Sequence, residues 1–580
     1  MSAASPPKRD WPLIGLVLLV FLFLLGTRSL NEPDEGRYGE IAREMVETGN
    51  WLAPHIWFVP HLDKPPMTYW LVASSLSVFG FNEWAVRLPL ALAGLSGVWA
   101  TFLLAHAMAG AQAARWSALI LSTSVLYFAM ARMLTTDIFL TQFIAWALYF
   151  LWRSWQCLDD LSSPDEDVRG AAGKKSVGWQ LAAWVAMAGG FVTKGPLALL
   201  IPLPPLVALL IYRRRDAIRL NVLLFGALGG VTAFCALALP WYLMVFDQLP
   251  GSYEFMVKGQ VMAHAAGAEA KGRAAPPYYF FGILAVGFLP WTLLLGWLWR
   301  RGHWRALDDA RKNAWLFLSV WAVFTFTVFS INSSKLPAYI LPMFPALAVM
   351  VAWRWFAGEQ AEGQGTLPLW TWRAVMVSPF LAMLAFPLVC YFEFKARDAW
   401  WIWPQVGLAC AAGVVLWLAS RRWLASRCAN WAVGTALVQL FLLVAVTPTV
   451  ETHLKSNQTL KPLAEALKRE YRPGDAIVAW GRLPQGLPFY AYPVINATNR
   501  PYMGGMPKYR LPFEFPGNEE RLGQLVLPDE KAFAQMLSSE RRVLAVGFRG
   551  TYNQARQWAP AQPLHLITEV GQWELFTNRQ

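Results

Sequence analysis

The sequence predicts a membrane all-α protein that ends in a soluble α/β domain, and three observations support this fold class. Of the 580 residues, 56% are hydrophobic and only 15% are charged, whereas roughly a quarter of the residues are charged in ordinary soluble proteins. The first 450 residues contain thirteen apolar runs of about 16–24 residues, the length that a membrane-spanning helix needs. Such runs stop after residue 450, where charged residues become more frequent. The composition therefore excludes an ordinary soluble protein.

The thirteen predicted spans define a transmembrane domain over residues 1–450. They begin near Trp11, Val86, Trp116, Ile138, Trp179, Pro196, Leu220, Tyr278, Ala314, Pro337, Trp372, Trp403 and Asn430. The first run follows two basic residues, but no small-residue cleavage site follows it, so we interpret it as a retained anchor rather than a signal peptide. The predicted outer loops include 30–85 and 245–277, and short interfacial helices are expected beside the spans.

The net charge of +13 is explained by membrane topology. With the N-terminus inside, the cytoplasmic loops carry more Lys and Arg than the outer loops of the membrane domain, as the positive-inside rule requires. This orientation puts both long loops and the C-terminal segment outside, so chemistry is expected on the extracytoplasmic face. No soluble nucleic-acid-binding module accompanies the basic residues, which disfavours a nucleic-acid partner. The five cysteines show no CxxC or Cys/His ligand spacing.

Residues 451–580 have the pattern of a soluble α/β domain. Short β-like runs at 476–480, 542–548, 564–570 and 573–577 alternate with helix-like stretches at 460–471 and 529–540. This segment contains no cysteine and no evident catalytic cluster. We therefore expect it to act as a cap or scaffold.

The first candidate site is the pair Asp34-Glu35, directly after the first span. Apolar residues recur at i, i+3, i+4, i+7 and i+8 from Tyr38, which predicts a short helix with Arg37 and several acids on its other face. A helix this short and charged is expected to lie on the membrane surface. Two interpretations of Asp34 remain open. It caps the helix, whose free N–H groups favour a carboxylate, or the pair is catalytic and acts near the headgroup of a lipid substrate.

The second candidate feature is a basic residue shortly before proline, repeated at four predicted helix starts on the outer face. Lys64 precedes two prolines, and Lys194, Arg273 and Lys335 stand before prolines at the sixth, eighth and tenth spans. Proline favours the first helical position, and the free N–H groups of a helix start attract phosphate together with a nearby cation. One such feature is ordinary at a membrane interface. Four on one face predict a phosphate or diphosphate site, provided that they converge.

Further candidate residues come from the other outer loops. Asp137 follows Arg132 between the third and fourth spans, where it either faces that arginine or only caps the next helix. Asp63 and His264, the only histidine of loop 245–277, are a candidate divalent-cation site. Two residues alone are too few ligands to imply that the protein requires a metal. The outer segments contain no Gly-rich phosphate loop, HExxH, GxSxG or DxD pattern, which disfavours a nucleotide or nucleotide-sugar donor.

Five stretches resemble the GT-C membrane glycosyltransferases, which include protein O-mannosyltransferases and, more closely, the bacterial aminoarabinose transferases that act on lipid A. The stretches are DEGRYGEIAREM (34–45), DKPPMTYW (63–70), RMLTTD (132–137), VTKGPLAL (192–199) and SSKLPAYILP (333–342). Their order, the thirteen predicted spans and the outer C-terminal domain extend the resemblance over most of the chain. The resemblance implies a GT-C fold whose catalytic domain is formed by residues 1–450.

Carried over position by position, the resemblance implies that Asp34 and Asp137 are the acidic residues of the catalytic cavity. It also implies three residues that bind the phosphate of a polyprenyl-phosphate sugar donor: Lys64, Lys194 and Tyr339. Further candidate substrate-binding residues are Lys335, Arg37 and Arg273. Asp63 stands where close relatives carry Glu, and His264 lies near a histidine of the aminoarabinose transferases.

The function implied by the resemblance is inverting transfer of a sugar, most closely 4-amino-4-deoxy-L-arabinose, from undecaprenyl phosphate to lipid A. The expected location is the periplasmic face of the bacterial inner membrane, the expected partners are membrane lipids, and polymyxin resistance is the expected outcome of the modification. We expect a monomer. One alternative is the same mechanism with another sugar, such as mannose or galactosamine, and a polysaccharide, glycolipid or protein acceptor. A second is a lipid-linked sugar transporter, which should carry ionisable groups within its spans and show inverted repeats.

Overall fold

A computed structural model gives the structure of most of the chain. It describes residues 21–213, 217–262, 274–298, 304–305, 307–357, 459–506 and 515–579, with further single positions at 15, 17, 18, 404, 407 and 411. The predicted domain boundary at 450/451 and the spans predicted from Trp372 and Asn430 lie outside the described residues, as do most residues of the span predicted from Trp403 and part of the span predicted from Trp11. The boundary and the total of thirteen spans therefore stay predictions.

The membrane part consists of helices. In chain order they are α1 (Asp34–Thr48), α2 (Met67–Phe79), α3 (Glu83–Thr123), α4 (Val125–Met130), α5 (Asp137–Cys157), α6 (Glu166–Lys194), α7 (Leu197–Leu200), α8 (Leu203–Tyr212), α9 (Ala217–Gln248), α10 (Tyr279–Gly287), α11 (Asp309–Ile331) and α12 (Phe344–Ala352). Shorter 3₁₀ or π segments are Leu158–Ser162, Glu254–Met262, Trp291–Trp297, Pro337–Met343 and Trp353–Ala357. A small antiparallel hairpin, β1 (His55–Ile56) and β2 (Val59–Pro60), lies between α1 and α2.

Several of these helices can cross a membrane. In the described ranges, four are long and apolar enough: Glu83–Thr123, Leu220–Gln248, Asp309–Ile331 and Pro337–Trp355. Gly110 interrupts α3 with a φ of +83°, a value that glycine adopts at little cost, so the runs predicted from Val86 and Trp116 lie on either side of this kink. The predicted fold class of a helical membrane protein with a C-terminal sheet domain is confirmed.

Helix α1 forms where a short helix is predicted, and its charged face is buried in the protein. Its position relative to the membrane stays a prediction. Glu40, Arg43 and Glu44 are each at most 1% exposed. Arg43 donates to Glu40 at 2.7 and 2.8 Å and to Glu47 at 2.5 Å, while Glu44 accepts the N–H of Phe58 at 3.1 Å. A sequence cannot distinguish a solvated charged face from one whose charges pair with each other, since the pattern is the same.

The C-terminal domain covers part of that face. The guanidinium of Arg43 lies 5.2 Å from the ring centre of Tyr492, and Glu47 accepts the N–H of Ala497 at 2.9 Å. Helix α1 is therefore held between the membrane helices and the C-terminal domain.

The C-terminal domain is built on one mixed six-stranded sheet. Its strands are β3 (Ala476–Trp480), β4 (Tyr502–Gly504), β5 (Val526–Leu527), β6 (Val543–Phe548), β7 (His565–Val570) and β8 (Trp573–Thr577). Its α-helices are α13 (Lys461–Glu470), α14 (Leu487–Ala491), α15 (Asn518–Leu522), α16 (Glu530–Leu537) and α17 (Thr551–Trp558). The strand order is β5-β4-β3-β6-β8-β7, parallel from β5 to β6 and antiparallel at β8. The four strands and two helices predicted from the pattern are present; β4 and β5 are too short to leave a pattern.

The first outer loop and the C-terminal domain are joined by hydrogen bonds across more than 370 residues of sequence. Glu32 accepts the N–H groups of Gln485 at 3.1 Å and Gly486 at 2.8 Å. Nearby, Lys461 donates to Glu83 at 2.7 Å. The C-terminal domain thus binds the loop that leads into α1.

Two glycines make the approach possible. A Cβ added to Gly36 in α1 would lie 3.0 Å from the Cα of Gly486, and one added to Gly486 would lie 2.7 Å from the Cα of Gly36. Because these neighbours are backbone atoms, neither position has room for a side chain.

Replacement of Arg43, which pairs with Glu40 and Glu47, tests how much the buried charges of α1 contribute to stability. We expect Arg43→Met to cost about 3–5 kcal/mol of stability, because Glu40 and Glu47 would keep buried negative charges without their partner. The measurement is the midpoint of thermal unfolding in detergent. Arg556→Met, which changes an exposed arginine on α17, serves as the matched control. Equal midpoints for the two variants would contradict the assignment.

The contact of Glu32 with the C-terminal domain predicts a pH dependence. Burial raises the pKa of Glu32 to about 8, although the N–H groups of Gly486 and Gln485 and the charges of Arg37 and Arg482 act in the opposite direction. A carboxyl group with a raised pKa favours the folded state in its protonated form. Its stabilising effect is complete below the ordinary value of 4.5 and is lost as the pH rises through about 8.

We therefore expect the unfolding midpoint of the natural protein, relative to that of Glu32→Gln, to fall between pH 5 and pH 9. The comparison with the variant removes the effects of all other titrating groups. A difference between the two midpoints that does not change with pH would show that Glu32 is not the responsible group.

Candidate active site

The ends of α5 and α6 bring three of the predicted residues together. The two helices run antiparallel, since Ser154 contacts Ser176 at 2.8 Å and the start of α5 meets the end of α6. Lys194 Nζ lies 2.5 Å from Asp137 Oδ1 and 4.6 Å from the ring centre of Tyr339. Both charged side chains are almost buried, with 12% and 10% of their surface exposed. The result is a cation held between a carboxylate and an aromatic ring.

Local structure differs from the prediction at Lys194. This residue is the last of α6, and Gly195, with a φ of +73°, ends the helix. Lys194 therefore ends a helix instead of opening the sixth predicted span. Gly195 terminates α6, and Pro196 then leads into the next helix. Asp137 is the first residue of α5 and makes no side-chain capping bond; its partner is Lys194 rather than Arg132.

Asp34 does not cap α1. The capping position is occupied by Pro33, and Asp34 is the first helical residue. Its carboxylate accepts from Arg37 at 2.7 Å, and its side chain is 51% exposed. Of the two interpretations left open by the sequence, the structure therefore rejects the helix cap.

Lys64 pairs with its neighbour Asp63. Lys64 Nζ lies 3.2 Å from the carboxylate of Asp63 and 3.0 Å from its carbonyl oxygen. Burial acts to raise the pKa of Asp63, but the positive charges of Lys64, His61 and Arg37 outweigh it and hold the pKa well below its usual range. Helix α2 begins at Met67, so Lys64 lies in the connection before the helix.

Tyr38 and Tyr69 link the two groups of charges. Their rings stack with centres 5.3 Å apart. Burial raises the pKa of Tyr38; Arg37 opposes this effect, whereas the negative charges of Asp63, Asp34 and Asp137 reinforce it. The negative charges of all three carboxylates act on Tyr38, so Asp34 and Asp137 lie in the same region of the structure.

Glu35 points away from this site into the protein. It is 2% exposed and forms a salt bridge with Arg28 and contacts Arg87 at 3.3 Å. The N–H groups of Asn31 and Leu134 each donate to it at 3.1 Å. Burial acts to raise its pKa, but the charges of Arg87 and Arg28 hold the pKa well below its usual range. With both oxygens occupied, Glu35 has a structural role that differs from the predicted catalytic one.

Of the remaining predicted residues, Lys335 is described by the structure, whereas Arg273 and His264 are not. Lys335 is 4% exposed and donates to the carbonyl of Asn332, in the loop that leads to Tyr339. Arg273 and His264 lie outside the described residues, so their roles stay predictions. Within the described ranges, no group of three or more His, Cys, Asp or Glu residues is arranged to hold a metal ion.

Sequence reasoning missed four residues of this region. Tyr38 and Tyr69 stand in the quoted motifs, Tyr38 on the apolar stripe of the predicted helix, but neither is predicted to belong to the site. Arg28 and Arg87 carried a stronger signal, because each lies at the edge of an apolar run. A charge in such a place requires a partner.

Comparison with known proteins covers about three quarters of the chain at the level of sequence. The chain is 31% identical over 449 residues, 76% of each sequence, to undecaprenyl phosphate-alpha-4-amino-4-deoxy-L-arabinose arabinosyl transferase 1 of Pseudomonas fluorescens. The enzyme of the same name from Erwinia tasmaniensis is 30% identical over 418 residues, 69% of this chain and 71% of that protein. Residues 63–241 match the dolichyl-phosphate-mannose-protein mannosyltransferase family.

The fold is shared with a solved structure. ArnT from Cupriavidus metallidurans, crystallised with undecaprenyl phosphate, superposes with a TM-score of 0.79 over 99% of both chains at 24% identity. The same protein in the apo state gives a TM-score of 0.77 over 98% of both chains. The predicted GT-C fold is confirmed. The chain belongs to the family of undecaprenyl phosphate-4-amino-4-deoxy-L-arabinose arabinosyl transferases, which are membrane glycosyltransferases.

Proposed function

We propose that this protein transfers 4-amino-4-deoxy-L-arabinose from undecaprenyl phosphate to lipid A. The observation that carries the proposal is the nearly buried cluster of Lys194, Asp137 and Tyr339. Asp34 lies in the same region, since its charge and that of Asp137 both act on Tyr38. The names of the relatives support the sugar and the carrier. The charge distribution between loops supports an active site on the periplasmic face of the inner membrane.

The donor phosphate is bound by cations that already have carboxylate partners. A phosphate oxygen near Lys194 accepts a hydrogen bond from its Nζ and shares the lysine with Asp137. A second phosphate oxygen shares Lys64 with Asp63 in the same way. Each charge-assisted hydrogen bond of this kind contributes about 1.5–3 kcal/mol. Tyr339 keeps the ammonium of Lys194 in place through its ring. Arg37, Lys335 and Arg273 are further candidates for contacts with the phosphate.

Transfer proceeds by displacement at the anomeric carbon. An acceptor oxygen bonds to that carbon from the face opposite the phosphate, the carbon–oxygen bond to the phosphate breaks, and its electron pair stays on the phosphate. Lys194 and Lys64 stabilise the negative charge that develops there. An acceptor hydroxyl gives its proton to Asp34, whereas an acceptor phosphate is already ionised and is only oriented by Asp34. The configuration of the sugar is inverted.

A second candidate is transfer of another sugar, with mannose to a protein as the leading example. One observation favours it, the match of residues 63–241 to a mannosyltransferase family. It ranks second because the relatives that match 76% of the chain are named for aminoarabinose. Supplying the two polyprenyl-phosphate sugars separately to the purified protein distinguishes the candidates.

The neighbours Asp34 and Glu35 provide a matched pair of variants. We expect Asp34→Asn to lower the transfer rate about 10²–10⁴-fold and to leave the thermal unfolding midpoint unchanged, because its side chain is half exposed. We expect Glu35→Gln to lower the midpoint, because two buried guanidinium groups lose their counter-charge. The measurements are transfer to lipid A by mass spectrometry and unfolding in detergent. Near-normal turnover by Asp34→Asn would remove Asp34 from the mechanism.

Donor binding is tested through stability. Undecaprenyl phosphate should raise the unfolding midpoint of the natural protein, because it binds only the folded state. The shift should be absent in Lys194→Met and preserved in Lys312→Met, which removes a lysine that also pairs with a carboxylate, at 3.7 Å from Asp309. A full shift in Lys194→Met would rule out this lysine as a phosphate ligand.

A further inference from the structure

A cavity lies between the first outer loop and the C-terminal sheet, next to the candidate active site. Glu32 and Pro33 line it on one side, and Arg482, Gln485, Gln572 and Trp573 line it on the other. Pro33 immediately precedes Asp34 in the sequence, so a group bound in the cavity lies beside the start of α1. None of the described residues of the candidate active site lines this cavity.

The cavity has the size of one headgroup. Its volume is about 190 Å³, which corresponds to roughly six water molecules at about 30 Å³ each. Pockets that bury drug-sized ligands measure about 300–1,000 Å³. The cavity therefore fits a single sugar ring and excludes the acyl chains of a lipid.

The lining mixes hydrogen-bond donors and acceptors. The carboxyl of Glu32 and the two glutamine side chains accept, while Arg482 and the amide nitrogens donate. Gln485 Oε1 is buried and has no hydrogen-bond partner among the described residues. This oxygen has almost no exposed surface, so the amide must turn towards the cavity before a ligand hydroxyl can remove the cost of a buried acceptor without a partner. Hydroxyl groups suit such a lining because each one both donates and accepts.

The apolar part of the lining is fixed in place. The Trp573 ring packs edge-on against the Phe548 ring, with ring centres 5.8 Å apart. The guanidinium of Arg482 lies 5.4 Å from the centre of the Phe548 ring. Gln572 lies in the β7–β8 turn, where its carbonyl accepts the N–H of Arg549 at 2.8 Å. An indole beside a guanidinium and two amides presents an apolar surface and polar groups to the same ligand.

We propose that this cavity binds the sugar headgroup of the acceptor and holds its reacting oxygen beside Asp34. The inference rests on the proposed function, since it assigns the acceptor side of the same active site. It gives the C-terminal domain a share in acceptor binding in addition to its contact with the first outer loop.

The test compares two exposed arginines of the C-terminal domain, each stacked on an aromatic ring. Arg482→Gln changes the cavity, whereas Arg556→Gln changes α17, where the guanidinium lies 5.9 Å from the ring of Tyr552. We expect Arg482→Gln to raise the KM for lipid A in detergent micelles at least about tenfold, as loss of a hydrogen bond to a charged group does. The KM for the undecaprenyl-phosphate sugar and kcat should stay within about twofold. Arg556→Gln should resemble the natural protein.

A direct binding measurement separates this inference from the proposed function. Glucosamine, which carries no phosphate for Lys194 or Lys64, should bind the natural protein and Arg556→Gln in ligand-observed NMR, and binding should be lost in Gln485→Leu and Arg482→Gln. Transfer to lipid A with the same acceptor KM in both arginine variants overturns the cavity assignment and leaves the proposed function standing. Absence of transfer by the natural protein, together with cavity-dependent binding of glucosamine, overturns the proposed function but supports a sugar site in the cavity.

Discussion

The arrangement of the active site depends on one buried carboxylate. Glu35 is held by Arg28 from the end of the first span, by Arg87 from α3 and by a backbone N–H of the segment that leads into α5. Its neighbour in sequence is Asp34, and α5 begins with Asp137. Because the same carboxylate fixes the segments before both acids, it sets their separation. Taking this charge out of water is favourable only with such complete pairing.

A second cluster of paired charges extends this principle along α1. Its charged face packs against protein, and the C-terminal domain supplies aromatic rings and backbone N–H groups at the positions where water would otherwise bind. Non-directional apolar packing alone would let α1 rotate or slide on the membrane helices. Paired charges require one orientation, so the proposed substrate-binding residues beside α1 are held on a fixed support.

The sequence predicts the kind of fold and most of the charged residues of the site, but not their partners. Lys194 is recognisable because a basic residue before proline recurs at four predicted helix starts, and Lys194 and Asp137 both lie in stretches that resemble the family. Their ion pair depends on the antiparallel packing of α5 and α6, which no local pattern encodes. Asp34 and Glu35 differ for a simpler reason: successive helical residues point about 100° apart, so one carboxylate faces the site and the other faces the protein interior. The strands of the C-terminal domain are predictable where they are five residues or longer.

The bonds from Glu32 to the backbone near Gly486 also affect the order of assembly. The partners are separated by 454 residues, and at 5–20 residues per second the ribosome needs roughly 25–90 s to pass from one to the other. In the predicted topology, the first outer loop is already outside the membrane during that time, while its binding partner has not yet been made. This loop therefore reaches its final conformation only after the C-terminal domain has been made and folded. A nascent or truncated chain can insert all of its early helices and still lack the contacts that fix this loop.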